Sequence, residues 1–428
     1  MYRIYTLVLR LGLIVLSPYL LLRSRRYWPT LADRLGYSKL PQLQKTIWIH
    51  AVSVGEVRSV EKLIEKIRKQ LPNRPIAVST TTPTGQELAR ARRDIIDHSF
   101  YFPIDTPGAI RRTLDRVRPD LVIIAETEIW PNFLRLCREQ KIPVMMINGR
   151  ISDRSLPRYL RMRRWLGQIL DNYVVLGMQS ETDRRRIQSI GADADRVTVF
   201  GNLKYDVDSS NRGIDPKLAS FLQEWRELWI AASTTPGEDE LVLDAFSILR
   251  TSRPGLKLMI APRHPERSEE ILGLIRSRGW KALRRTALQG DSDVLVLDTI
   301  GELASTFEYA SVVFMGGSLV ERGGHNFLEP ARHSKPVIFG PHMENFRDIE
   351  RLFLDANAGI QIPNASELAP AVAKVLDDPS FAHSLGQNGR EVVLQNAGAT
   401  DRVISYIREH VLKNGEPQAK ASGLQGFT

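Results

Sequence analysis

The chain has 428 residues, of which 43% are hydrophobic and 25% charged. That length allows two or three domains with full apolar cores, which excludes a peptide hormone, a disulfide miniprotein or a disordered tail. Its 59 Lys and Arg against 49 Asp and Glu give +10 and point to anionic partners, while the lone Cys137 rules out an internal disulfide and a thiolate metal centre.

Five arginines, Arg3, Arg10, Arg23, Arg25 and Arg26, and no acid surround the apolar run from Ile4 to Leu22. No small-residue cleavage site follows Leu22, so residues 1–30 read as a retained N-terminal membrane anchor rather than a signal peptide. Arg10 and Pro18 interrupt a run already close to the minimum of about 20 residues for a span, which leaves open whether it crosses the bilayer or lies in its interface. The following arginines predict attachment at the cytoplasmic face of a membrane rich in anionic lipids. A buried amphipathic helix is the alternative.

From Thr46 onward, short apolar runs alternate with amphipathic stretches, the pattern of a parallel sheet with crossover helices. Strands are predicted at 47–52, 76–80, 99–103, 121–125, 144–148 and 173–176. A second series follows at 229–233, 258–261, 294–297, 312–315, 337–339 and 359–362. The fold class is therefore α/β, with two doubly wound Rossmann-like domains, 31–208 and 209–413. The seam falls in the polar, turn-rich Asp206–Pro216, and residues 414–428 read as a disordered tail.

Ligands in such sheets sit beyond the carboxyl ends of the strands, so the residues there are the candidates. The first strand leads into Ser53-Val54-Gly55-Glu56, where Gly55 is expected to permit a tight turn and Glu56 either reaches a ligand or only complements the helix dipole. The fourth ends in Glu126-Thr127-Glu128-Ile129-Trp130-Pro131. Glu56 with Glu126 or Glu128 would form a like-charged pair whose repulsion raises a pKa and creates a general base; a helix-capping cluster is the alternative. In the second half, Ser233-Thr234-Thr235 opens a helix suited to an anion, and Arg263 ends another strand where it would pair with phosphate or carboxylate. Gly316-Gly317-Ser318 through Pro330 carries two Gly-Gly pairs, with Asn326 and Glu329 placed to bind a ribose, yet matches neither a Walker loop nor a dinucleotide fingerprint. The Asp-x-Asp pairs Asp206/Asp208 and Asp291/Asp293 lie in polar loops, so no metal is expected.

Taken in order, His50 through Glu56, Thr81-Thr82-Pro83-Thr84-Gly85, Glu126 through Asn132, Gly201 through Asp206, Pro262 through Arg267 and Gly316 through Pro330 resemble the 3-deoxy-D-manno-oct-2-ulosonic acid (Kdo) transferases. The resemblance covers nearly the whole chain. It implies a GT-B glycosyltransferase of the Gram-negative inner membrane that moves Kdo from CMP-Kdo to lipid IVA with inversion and without a cofactor or metal. The first domain would take the acceptor and the second the donor. Glu56 would be the general base, supported by Glu126, with Ser53, Gly55, Thr84 and Glu128 on the acceptor side. Lys204, Ser233, Arg263, His264, Gly317, Ser318, Asn326 and Glu329 would line the donor site. A monomer is expected, with no nucleic-acid partner. An envelope enzyme using a UDP-sugar is the first alternative, and a membrane-docked scaffold the second.

Overall fold

Two seven-stranded parallel sheets are formed by those apolar runs in the computed structural model, which describes residues 2–23, 25–206 and 214–411. Most of the expected seam, residues 207–213, and the expected tail lie outside the described residues. The first sheet comprises β1 (Thr46–His50), β2 (Ile76–Thr80), β3 (His98–Tyr101), β4 (Pro119–Ala125), β5 (Val144–Gly149), β6 (Val175–Met178) and β7 (Val197–Val199), in the order β3-β2-β1-β4-β5-β6-β7. The second comprises β8 (Leu228–Thr234), β9 (Lys257–Pro262), β10 (Ala282–Arg284), β11 (Val294–Val296), β12 (Val312–Met315), β13 (Val337–Phe339) and β14 (Ile360–Gln361), in the order β10-β11-β9-β8-β12-β13-β14. In both, the order reverses beside the first strand, between β1 and β4 and between β8 and β12. Those are the switch points where doubly wound sheets bind ligands.

Central strands are buried on both faces, as β-branched runs such as Ile47-Trp48-Ile49 require. All twelve expected strands are present. The two others, β7 and β10, have three residues each and lie at sheet edges, too short to show a period.

The helices that bear on function are α1 (Tyr2–Arg23), α2 (Val54–Gln70), α3 (Pro83–Ala91), α4 (Pro131–Glu139), α5 (Asp239–Ser252), α6 (Leu328–Arg332), α7 (Pro379–Asn396) and α8 (Ala399–Tyr406). The N-terminal run is helical, but among the described residues no helix is long and apolar enough to cross a membrane, which corrects the spanning form of the anchor. Instead α1 docks by its polar side. Thr6 Oγ1 donates to Asn132 Oδ1 at 3.0 Å, and the Tyr2 hydroxyl accepts from Asn172 Nδ2 at 3.0 Å. Ile4, Leu7, Val8, Leu11, Ile14 and Val15 remain exposed on the helix.

The chain divides into one compact unit holding the first sheet up to Asp206 and a second from Val207 to Asn396. From Ala397 it rejoins the first unit, where the sequence pattern had suggested continuation of the second domain. Gly398, at φ +89°, breaks the chain between α7 and α8. The Asp206 carboxylate then accepts from the Gly398 N–H at 2.6 Å and the Thr400 N–H at 2.5 Å, while Ala399, Val403 and Ile404 enter the core against Val57 and Ile64.

Candidate active site

In the first unit, Glu56 and Glu126 follow β1 and β4, the two neighbours at the switch point. Ser53 caps α2, and the Glu56 side chain folds back over the same end: its Oε2 accepts from the Val52 N–H at 2.7 Å and its Oε1 from the Ser53 hydroxyl at 3.2 Å. This is a capping box, so the dipole-complementing reading of Glu56 holds locally. It does not account for the electrostatics. Glu56 is 9% exposed, and burial first, then the Glu126 charge, push its pKa up from 4.5 to about 7 despite those hydrogen bonds. Glu128 is likewise raised to about 7, by burial and then by Glu126.

The capping alternative for Glu126 and Glu128 does not hold. The strand ends at Ala125, Glu126 turns the backbone at φ +61°, and α4 begins only at Pro131. A non-glycine residue in the left-handed region costs about 1 kcal/mol or more and persists where the surroundings impose it, often at functional sites. The cap of α4 is supplied from elsewhere by Asp105, whose carboxylate accepts from the N–H groups of Asn132 at 3.1 Å and Phe133 at 2.8 Å. The acidic loop is thus left to project two carboxyl groups, Glu126 and Glu128, whose charges act on Glu56 of α2, with Glu126 acting on Glu128 as well.

Around them, Gly85 sits so close to the cap of α2 that a Cβ there would lie 2.9 Å from Thr82 Oγ1 and 3.3 Å from the Ser53 carbonyl carbon. Thr84 is exposed in the first turn of α3. Gly55 is a correction: it lies inside α2 without a positive φ, and a Cβ would meet nothing nearer than Ser53 Oγ at 3.9 Å. No turn requires it. Behind the site His50 is fully buried, donor or acceptor to Ser79 through Nδ1 and stacked on Phe102 at 4.0 Å; burial drives its pKa down to about 3, so it stays neutral.

The second unit repeats the arrangement at its own switch point. Ser233 adopts φ +57° at a register shift between β8 and β9, and Gly316 brings β12 so near that a Cβ would lie 2.6 Å from the Ser233 carbonyl oxygen. The loop amides after β12, where the Gly-Gly pairs suggested close approach to a ligand, cradle an anion of the protein itself. The fully buried Glu238 carboxylate accepts from the N–H groups of Gly317, Ser318 and Leu319 at 2.6–3.0 Å, and from the Thr235 N–H and hydroxyl at 2.9 and 3.0 Å. Ser318 is itself fully buried, its hydroxyl donating to the Met315 carbonyl and accepting from the Gly340 N–H. Glu238 is the principal residue that sequence reasoning missed. Its only local sign was its place three residues after Thr235.

Arg263 is half-buried after β9, its N–H donating to the Thr234 carbonyl at 2.9 Å, and His264 is exposed beside Glu266. The arginine of that motif held by a buried acid is the half-buried Arg267, which binds the fully buried Asp239 at 2.6 Å, while Thr234 donates to the same carboxylate at 2.6 Å. Asn326 and Glu329 come together as expected, Asn326 Nδ2 donating to Glu329 Oε1 at 3.1 Å at the start of α6. Lys204 lies in the first unit, in a short 3-10 turn whose N–H donates to Asn202 Oδ1. Of the Asp-x-Asp acids, Asp208 lies outside the described residues, Asp206 caps α8, Asp291 pairs with Lys257 and Asp293 with Arg250, each of these two pairs at 3.0 Å. Among the described residues no group of three or more His, Cys, Asp or Glu side chains is arranged to hold a metal ion.

A family model described as 3-deoxy-D-manno-octulosonic-acid transferase (kdotransferase) matches residues 29–207. Over 403 residues the chain is 33% identical to the 3-deoxy-D-manno-octulosonic acid transferase of Haemophilus influenzae, covering 92% of this chain and 94% of that one. With the enzyme of the same name from Bordetella pertussis the identity is 31% over 432 residues, 95% and 98% of the two chains. Among solved structures, UDP-GlcNAc 2-epimerase from Neisseria meningitidis bound to UDP-GlcNAc superposes with a TM-score of 0.56 at 11% identity, covering 85% of this chain and 99% of that one. This last likeness is one of fold.

Proposed function

The chain belongs to the Kdo transferases, a family of glycosyltransferases, and from that premise we propose that it transfers Kdo from CMP-Kdo to lipid IVA with inversion at the anomeric carbon. The observation that carries the reading is the group Glu56, Glu126 and Glu128 at the switch point of the first sheet. A carboxyl with a pKa near 7 is ionised in about half or more of the molecules at neutral pH, yet basic enough to take a proton from a sugar hydroxyl as the new bond forms. Glu56 is the base in this scheme. The acceptor oxygen attacks the anomeric carbon of Kdo, the bond to the CMP phosphate breaks, and the proton stays on Glu56. Glu126 keeps the base strong through its charge, and Ser53 orients it; Glu128 and the exposed Thr84 face the acceptor sugar.

In the second unit Arg263, with His264 beside it, offers positive charge to the CMP phosphate and the Kdo carboxylate, which supports departure of CMP without a metal. Asn326 and Glu329 bind the nucleoside. Ser233 completes the donor contacts of that unit, and Gly317 and Ser318 shape the pocket while their N–H groups remain on Glu238. The anionic acceptor and the apolar outer side of α1, with Arg3 and Arg10 on the same helix, favour a place at the cytoplasmic face of the inner membrane, with α1 lying in the interface. The test is incubation of the purified protein with CMP-Kdo and lipid IVA in detergent plus a chelator, read by mass spectrometry. Kdo-bearing lipid is the expected product; a folded protein that leaves CMP-Kdo unconsumed overturns the proposal.

A further inference from the structure

The helix that would meet the lipid surface also touches the segment that carries the acidic loop. On its inner side the Tyr5 hydroxyl lies beside the Asp105 carboxylate, whose charge adds to burial in raising the phenol pKa, and its ring packs against Trp165 at 6.1 Å between centroids. Asp105 is 2% exposed, and the same carboxylate holds the N–H groups of Asn132 and Phe133, while its carbonyl accepts from Asn132 Nδ2 at 2.7 Å. Thr6 reaches the other end of the Asn132 side chain. One turn of α1 therefore grips the start of α4 twice, directly through Thr6 and indirectly through Tyr5 and Asp105.

A second route ends on the same segment. Tyr2 accepts from Asn172, and the next residue, the fully buried Tyr173, donates its hydroxyl to the Glu128 carbonyl at 2.6 Å. The stretch from Glu126 to Trp130 has no regular secondary structure of its own, and Glu126 stands in the left-handed region. Its course is set by Thr127, whose hydroxyl donates to the Arg150 carbonyl and accepts from the Arg150 N–H at 2.8 Å, and by what holds its two sides. The β4 end is fixed by the sheet, and the other end by Asp105, Thr6 and Tyr173.

We propose that α1 is a positioning element for the reaction: Tyr5 and Thr6, through Asp105 and Asn132, set where Glu126 and Glu128 stand relative to Glu56. The proposal rests on the reading of Glu56 as base given above. It separates the two sides of α1 by function, the apolar side acting on access to the lipid and the Tyr5/Thr6 side on the chemical step. Misplacement of a reacting group by an ångström costs up to about 100-fold in rate. Loss of one of the two grips is expected to cost about 10-fold, since the other remains.

The test uses the full chain with Tyr5→Phe, Thr6→Val and the double variant, each removing a hydroxyl at the helix surface and keeping the side-chain body. Leu11→Gln serves as the outer-side comparison. Transfer is measured with detergent-dispersed acceptor and with acceptor in anionic vesicles, and protection of the buried Cys137 from a thiol reagent checks that the first unit is folded. The inner variants are expected to lower kcat about 10-fold singly and more together, with KM in detergent and CMP-Kdo affinity unchanged; Leu11→Gln raises KM on vesicles alone. Wild-type kcat in the folded double variant, or a change in KM only, overturns the proposal and leaves the Glu56 reading intact. Absence of transfer by the wild type, or full activity of Glu56→Gln, overturns that reading and this one with it. Should the double variant expose Cys137, the single variants decide.

Discussion

Replacing Glu56 with Gln is expected to abolish transfer and to make the first unit more stable at alkaline pH. A carboxyl lifted from 4.5 in the unfolded chain to about 7 in the folded one holds its ionised form at a disadvantage of roughly 3 kcal/mol, at about 1.4 kcal/mol per pH unit. The folded state binds the extra proton, so the Glu56 contribution to stability is fully present below pH 4.5 and is lost as pH rises through 7. Glutamine carries no charge to penalise. It keeps one acceptor oxygen where the carboxylate uses two, toward Val52 and Ser53, and loses about 1 kcal/mol with the second bond. The net gain is about 2 kcal/mol at pH 8, vanishes at about pH 5 and becomes a loss of about 1 kcal/mol at pH 4, where only the missing bond counts. For a unit of this size the gain amounts to about 4–8 °C in Tm. Thermal melts of wild type and variant between pH 4 and 9, followed by Cys137 labelling, are the assay. A variant less stable than wild type by one constant amount at every pH would show that Glu56 is only a cap and refute the strained-base argument.

Glu238→Gln removes one carboxylate oxygen from five donors; it is expected to destabilise the second unit by about 2–3 kcal/mol and to weaken CMP-Kdo binding, measured by urea unfolding and calorimetry. Unchanged donor affinity would separate the Gly317–Leu319 loop from the donor site. Gly386→Ala places a Cβ 2.0 Å from the Ser334 carbonyl oxygen and should cost about 1–3 kcal/mol in the same unfolding experiment. Gly55→Ala should instead add about 0.5–1 kcal/mol, because the position is helical and open. Cys137 is fully buried, with burial and the Asp105 charge raising its thiol pKa; it should resist alkylation at pH 8 until the first unit unfolds.

The central strands were legible because a parallel strand buried on both faces reads as a short apolar run rich in Val, Ile and Leu, as Leu121 to Ile124 does, with Ile47-Trp48-Ile49 equally apolar. From the strand order it followed that Glu56, Glu126, Ser233 and the Gly316-Gly317 pair belong at the carboxyl edges. What escaped notice depends on partners distant in sequence. Asp105 caps a helix 27 positions away, and Glu238 serves amides 79 to 81 positions away. Nothing local distinguishes such acids from solvated ones. The same limit explains the arginines: Arg263 and Arg267 look alike in sequence, and only the position of Asp239 pairs the second with a buried acid. Gly55 misled for the opposite reason, since a glycine after a strand suggests a turn where the chain had simply begun its helix.

The return of α8 to the first sheet makes the second unit an insertion within the first. The pattern of contacts across Asp206, Gly398 and Thr400 therefore governs the order in which the protein is completed during synthesis. When Asp206 emerges from the ribosome, the apolar side of α2 still lacks Ala399, Val403 and Ile404, and it must wait for nearly two hundred more residues before that surface is closed. The second unit is continuous in sequence and can fold in the interval. The nascent first unit, carrying Glu56 on that same helix, passes through a stage with its sheet assembled and its last wall missing, which is when it most needs protection from aggregation.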